Sequence, residues 1–476
     1  MLVAWLARKG ITTYFFAEAF VYLGAYRDAG DSFLGALLRP HALIFYRPSI
    51  WAVNLAWNLI VPPDALLYHL RNVALVVVNA LLLHRLLLRL VPDRFGRGVA
   101  MAFYAISKVH LTTIGYVATF STILLLFATL SMFVAFCRWL ERRRWIDFAV
   151  TLFFAAFLVF SKDYGAVAVV LLPLLAWARG AEVWRVMRPF AIPLLVLVVA
   201  YSGIRAWVAP APGRGLYEPR VDARVFARKT IQAATTLANV SLFETEGRTG
   251  ARGVTRLVWA DDSRGGRVAE GVVLLAFFAF AIALIARARP PLALVVFCAA
   301  WGALFFAPTL LGRNEQLYYH NDLVAAFAVL LGASVAWRRL TVAILIVLAL
   351  NAEVSQRSMR YTWYEISEAL WPLEHYRTAP VDRVVFLTDD PAKWDFALRA
   401  DGHAPFVQTL FGRPDLQVRV LDRRAYRGET GALVIDVDVW SAIRTTLPAS
   451  PQRPARVPAR SGRGASAAPP LPAATS

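Results

Sequence analysis

Between residues 66 and 355 the chain alternates long apolar runs with short charged or Gly/Pro-containing connections. A helix needs about 20 residues to cross about 30 Å of hydrocarbon. Runs near 66–84, 98–114, 120–138, 146–161, 164–178, 188–208, 268–286, 291–311, 321–336 and 340–355 approach that length. They predict a polytopic α-helical membrane protein of about ten spans in a transmembrane region over 66–355, with a long loop at 209–267. Ahead of them, residues 49–62 place Trp51, Asn54, Trp57 and Asn58 at helical spacing. This spacing fits an amphipathic helix lying at a membrane interface, and equally a helix packed on its neighbours. Behind them the period changes. Residues 383–388, 416–421 and 432–437 read as short buried strands, with a helix over 391–400, so a small α/β domain is expected over 356–447. From Pro448 the Pro/Ala/Ser/Arg tail lacks the apolar residues a fold requires and is expected to be disordered.

Composition agrees with the pattern, at 58% hydrophobic and 17% charged residues with a mean hydropathy of +0.52. The net charge of +19 comes from 51 Lys and Arg against 32 Asp and Glu. In a soluble chain such an excess points to nucleic acid, but here its distribution gives another reading. Arg85, Arg89, Arg94 and Arg97 follow the first run, and Arg138 with Arg142 to Arg144 follow the third. Arg179, Arg185 and Arg188 follow the fifth, Arg287 and Arg289 the seventh, and Arg338 and Arg339 the ninth. Every second loop is therefore basic, as cytoplasmic loops are. Residues 1–65, the turn at 114–120, Ser161 to Asp163, the loop 209–267, Gly312 to His320 and the C-terminal region then share the external face, and no nucleic-acid partner is expected. Cys137 and Cys298 lie inside apolar runs and read as core residues. Only Met1 to Ala7 precede Arg8-Lys9, too few to span a bilayer, so either a leading span lies upstream of this start, the favoured expectation, or the N-terminus is translocated without its own anchor.

Ionisable residues near the external ends of the runs are the candidates for chemistry, since charge at membrane depth is costly. Glu18 stands among Phe15, Phe16 and Phe20; it is either a working carboxylate or a helix-end glutamate at the interface. Tyr46-Arg47-Pro48 forms a turn, and Tyr68-His69-Leu70-Arg71-Asn72 opens the first run. Lys108 and His110 end the second run, where a lysine either lines a site or snorkels to the surface. Ser161-Lys162-Asp163 is a polar turn between two runs, suited to a phosphate or simply solvated. Arg313, Tyr319 and His320 precede the ninth run. Asn239-Val240-Ser241 fits the three-residue acceptor pattern for N-glycosylation. P-loop, GxGxxG, HExxH and zinc-ligand spacings and internal repeats are not found in the sequence.

In this order, the acidic-aromatic segment, the Tyr-Arg-Pro turn, the Asn-rich amphipathic stretch and the Tyr-His-x-x-Asn opening resemble the polyprenyl-phosphate-sugar-dependent glycosyltransferases of the GT-C superfamily. The nearest likeness is to the protein-mannosyltransferase-like proteins that include the transmembrane TPR mannosyltransferases, here without TPR repeats. Ser161-Lys162-Asp163 is similar to the Ser-Lys-Glu turn of that family. The resemblance covers roughly residues 14–180 with motifs and the rest by layout. It implies transfer of a sugar from a polyprenyl-phosphate donor to a hydroxyl of a protein, lipid or glycan acceptor, on the external face of a bacterial inner membrane. Glu18 would be the catalytic base. Arg47, Lys108, His110, Lys162 and Asp163 would face the donor phosphate, with His69, Arg313, Tyr319 and His320 as further site residues. Ala17 replaces the second acid of the family's acidic pair, which weakens a site for a divalent metal ion built on both; a metal cofactor stays open. Two other readings remain, a transporter of lipid-linked sugar or small solutes, and a family member without activity.

Overall fold

The computed structural model describes residues 46–162, 164–208, 223–240, 243–246, 256–259, 264–311, 317–353, 373, 376–378, 380–389, 407–408, 410–428 and 432–436. Glu18, Asp163, Arg313, the helix expected over 391–400 and the tail from Pro448 lie outside the described residues.

Helix α1 (Pro48–Ile60) starts on a proline, whose fixed φ and missing N–H suit a first helical turn. Its buried face is Ile50, Trp51, Asn54 and Leu55, while Leu59 and Ile60 are exposed. Trp51 and Asn54 thus pack inward, which favours the packed-helix reading of this stretch. Asp64 caps α2 (Ala65–Leu90), accepting from the backbone N–H groups of Leu66 at 2.8 Å and Leu67 at 3.4 Å. Asp93 caps α3 (Arg94–Ile106) through the Gly96 N–H at 2.9 Å.

The run at 98–114 is not one span. The chain extends at Ser107 and restarts as α4 (Val109–Gly115), followed by a 3₁₀ turn, Val117–Thr119. Asn239 carries the break: its amide donates to the carbonyls of Ile106 at 3.0 Å and Leu348 at 3.1 Å and accepts from the Lys108 N–H at 2.9 Å. The backbone groups that a continuous helix would pair internally are satisfied from another element.

Helices α5 (Phe120–Arg142), α6 (Trp145–Val159), α7 (Val167–Ala178) and α8 (Val183–Val208) follow. The expected loop 209–267 contains a helix, α9 (Ala223–Leu237), and an antiparallel pair, β1 (Phe243–Glu246) with β2 (Arg256–Trp259). Then come α10 (Arg264–Ala288), α11 (Leu292–Leu311), a 3₁₀ turn at Leu317–His320, α12 (Asn321–Ala333) and α13 (338–353). Among the described residues five helical stretches, in α2, α5 with its leading turn, α8, α10 and α11, are long and apolar enough to cross a membrane. Helices α6, α7 and α12 are apolar but shorter. The chain is a helical membrane protein whose outer faces expose residues such as Leu81, Phe153, Ile192 and Leu275, the pattern a lipid environment permits.

Helices α3 and α12 cross with their backbones touching, because a Cβ on Gly96 would stand 2.2 Å from the Gly332 carbonyl oxygen. Small residues at such crossings let membrane helices approach closely. The C-terminal strands appear where the sequence predicts them. They are β3 (Arg383–Thr388), β4 (Gln417–Asp422) and β5 (Ala432–Asp436), in a parallel sheet of order β4-β3-β5. The central strand β3 buries Val384, Val385, Phe386 and Leu387 in succession, as a strand covered on both faces does. One apolar cluster joins Val384, Phe386, Leu433 and Ile435 to Tyr68, Tyr116, Val117 and Ala118, so the sheet packs on the helix ends where α2 and α5 begin.

Candidate functional site

Those polar residues singled out in the sequence that are among the described residues gather at that same end. Helix α4 is fixed there by α2: His69 Nδ1 stands 2.6 Å from the Ile114 carbonyl, and Asn72 Nδ2 donates to the Thr113 carbonyl at 3.0 Å. Both bonds occupy carbonyls at the end of a short helix, which explains why these polar residues are buried at the start of an apolar run. His110 turns onto its own neighbours, with Nε2 2.7 Å from the Tyr104 carbonyl and its ring edge-on to Tyr104 at 4.7 Å.

The Tyr-Arg-Pro and Ser-Lys-Asp turns are adjacent in space. The Ser49 N–H donates to the Phe160 carbonyl at 3.1 Å, and Tyr201 stacks on Tyr46 and packs edge-on against Phe160. The second turn is tightly built. Ser161 Oγ donates to the Phe157 carbonyl at 2.5 Å, the Gly165 N–H donates to the Lys162 carbonyl at 2.7 Å, and a Cβ on Gly165 would lie 2.0 Å from the Leu158 carbonyl oxygen. Glycine is thus required for this turn to close.

Three lysines are buried at this end, Lys108, Lys162 and Lys229, each only 2% exposed. They come from three separate stretches of the chain. Lys162 Nζ donates to the Tyr164 hydroxyl at 3.2 Å and lies 5.3 Å from the centre of the Tyr319 ring. It is within electrostatic reach of Asp322, a buried carboxylate held by the Trp301 Nε1–H at 2.9 Å. Lys108 donates to the Val240 carbonyl and Lys229 to the Thr309 carbonyl, and both are within electrostatic reach of His320. Thr236 Oγ1 donates to the Gln232 carbonyl at 2.8 Å, so it accepts the Nδ1 proton of His320 at 2.9 Å. That tautomer leaves His320 Nε2 as a proton acceptor.

The sequence candidates Arg47, His69, Lys108, His110, Lys162, Tyr319 and His320 therefore share one end of the helical body. Lys229, Gln232, Trp301 and Asp322 belong to the same end and are not singled out in the sequence. Arg71, named there only within the Tyr-His-x-x-Asn opening, has its guanidinium 3.7 Å from the Phe120 ring centre and between Trp57 and Tyr68, with Nη1 donating to Asn54 Oδ1 at 3.3 Å. Asp322 had a signal, an acid at the head of an apolar run; Lys229 and Gln232 had none, because their helix lies in a stretch read as loop.

Two further expectations meet this geometry. Asn239 is buried with its amide committed to three backbone groups, so the Asn239-Val240-Ser241 pattern is not an accessible glycosylation site in this fold. Among the described residues no group of three or more His, Cys, Asp or Glu could hold a metal ion. What the site offers chemically is buried positive charge, aromatic faces and one imidazole acceptor. Neither models of known protein families nor characterised proteins show a match to this chain.

Proposed function

We propose that the chain is a membrane glycosyltransferase of GT-C type with about ten spans, moving a sugar from a polyprenyl-phosphate donor to an acceptor hydroxyl on the external face of a bacterial inner membrane. The observation that carries this reading is the buried Lys162 ammonium, set on Tyr164 and Tyr319 in a glycine-closed turn beside the Tyr46-Arg47-Pro48 turn. A polyprenyl phosphate is a good leaving group, so such an enzyme must neutralise the departing phosphate and take a proton from the acceptor. Lys162 and Arg47 supply the positive charge, which acts strongly where water is excluded. Glu18 takes the hydroxyl proton as general base, and the prenyl chain lies against the exposed apolar helix faces. The acceptor is a protein, lipid or glycan hydroxyl.

The test is transfer by the purified full chain from radiolabelled polyprenyl-phosphate sugars, with flux across vesicles measured in parallel. Glu18→Gln should abolish transfer with the protein inserted and folded. Transfer retained by that variant removes Glu18 from the role, and flux without transfer replaces the enzyme with a carrier.

A further inference from the structure

Helix α9 buries four polar side chains, Lys229, Gln232, Thr235 and Thr236, together with Ala233 and Leu237, and exposes Phe226 and Ile231 beside Arg224 and Thr230. Polar groups buried in a membrane protein need partners in the fold or a ligand. Among these four the Gln232 amide is buried and its Nε2 has no hydrogen-bond partner among the described residues. A buried donor left without an acceptor is costly, and Gln232 is thus primed for an acceptor supplied by a ligand. Its neighbours along the helix, Lys229 and Thr236, lead to His320, on which Lys108 also acts.

We propose that Lys108, Lys229, Gln232, Thr236 and His320 form a second ligand locus, for a phosphate group, beside the Leu317–His320 turn. The locus offers donors in two ammonium groups and a primary amide. Lysines contact phosphate oxygens singly as point charges, whereas planar carboxylates are matched by the bidentate fork of arginine; Gln232 would donate to one phosphate oxygen. The group can belong to a lipid-linked phosphate or to free phosphate. This locus stands whether or not the chain transfers a sugar, because it is read by binding alone.

The test uses the full chain in detergent, titrated separately with inorganic phosphate, polyprenyl monophosphate and polyprenyl diphosphate and followed by native mass spectrometry. Binding of inorganic phosphate as well as the lipids would identify the phosphate group itself as the ligand; binding of the lipids alone would identify a lipid headgroup. Gln232→Met keeps the length of the side chain and removes a buried amide N–H group that has no acceptor among the described residues. It should weaken binding about tenfold while the unfolding temperature holds or rises, a combination that a purely structural glutamine would not give. Lys229→Met should weaken binding at least as much, at some loss of stability because the Thr309 carbonyl loses its donor. No binding of any probe by the wild-type chain, or an affinity unchanged by Gln232→Met, would overturn the proposal and leave Gln232 bonded to a buried water.

Discussion

The two ends of the helical body use cations in opposite ways. Where α2 and α5 finish, arginines form ion pairs near the surface: Glu141 accepts from Arg89 at 3.2 Å and Arg179 at 3.3 Å, Arg138 meets Asp147 at 3.0 Å, and Arg338 reaches Asp93 at 3.4 Å. Where α2 and α5 begin, three lysines and Arg71 are sealed from solvent and set against carbonyls, aromatic rings and an imidazole. The arginine end ties neighbouring helices together and meets water. At the lysine end, buried charge is held where a partly exposed ion pair would have been cheaper, and that cost is the reason to look there for a ligand.

The contrast can be broken by substitutions, beginning with the largest expected effect. Lys162→Met should lower transfer by about 100-fold or more, as removal of an electrostatic stabiliser does, while the chain still inserts and unfolds cooperatively; a smaller loss would make the lysine end merely structural. Gly165→Ala forces a Cβ onto the Leu158 carbonyl. It should cost about 3 kcal/mol, the upper part of the range for overpacking, seen as a lower unfolding temperature together with reduced transfer. Asp322→Leu leaves the Trp301 N–H without its acceptor and should destabilise by about 1–3 kcal/mol, whereas Asp322→Asn keeps an acceptor oxygen and should be much milder. At the other end, Glu141→Gln should cost about 1 kcal/mol or less, since partly exposed pairs contribute little, and the loss should shrink further in high salt. If it matched Gly165→Ala, the distinction between the two ends would fail.

The smallest effect lies in the C-terminal region. A hydrogen bond from Arg413 pulls the Asp415 carboxyl down from its ordinary value of 3.8 to about 2. The folded state prefers the ionised form, so the pair contributes above the ordinary value and its contribution is lost as pH falls from about 4 through about 2. Both side chains are exposed, so an acid titration of Arg413→Ala should differ only slightly from that of the parent chain.

The positions of helices and strands were legible because lipid and a parallel sheet both demand continuous apolar runs. The break at Ser107 was not, since it depends on Asn239, more than a hundred residues away, to satisfy the interrupted backbone. Helix α9 was hidden for a related reason: a helix whose buried side is polar has the composition of a loop. At the site, the sequence grouped Lys108 with Lys162 because both are cations near the ends of runs. The fold sets Lys162 beside the Tyr319 ring and Lys108 on the Val240 carbonyl, contacts that no spacing along the chain foretells.

The sheet and the helix ends share one apolar cluster, and this bears on how the chain can be divided. Cutting after residue 353 would strip Val384, Phe386, Leu433 and Ile435 from Tyr68, Tyr116 and Val117, leaving a greasy scar at the mouth of the bundle. A shortened protein should therefore aggregate or lose order near Tyr116. The boundary suggested by the change in composition is a poor place to put the scissors.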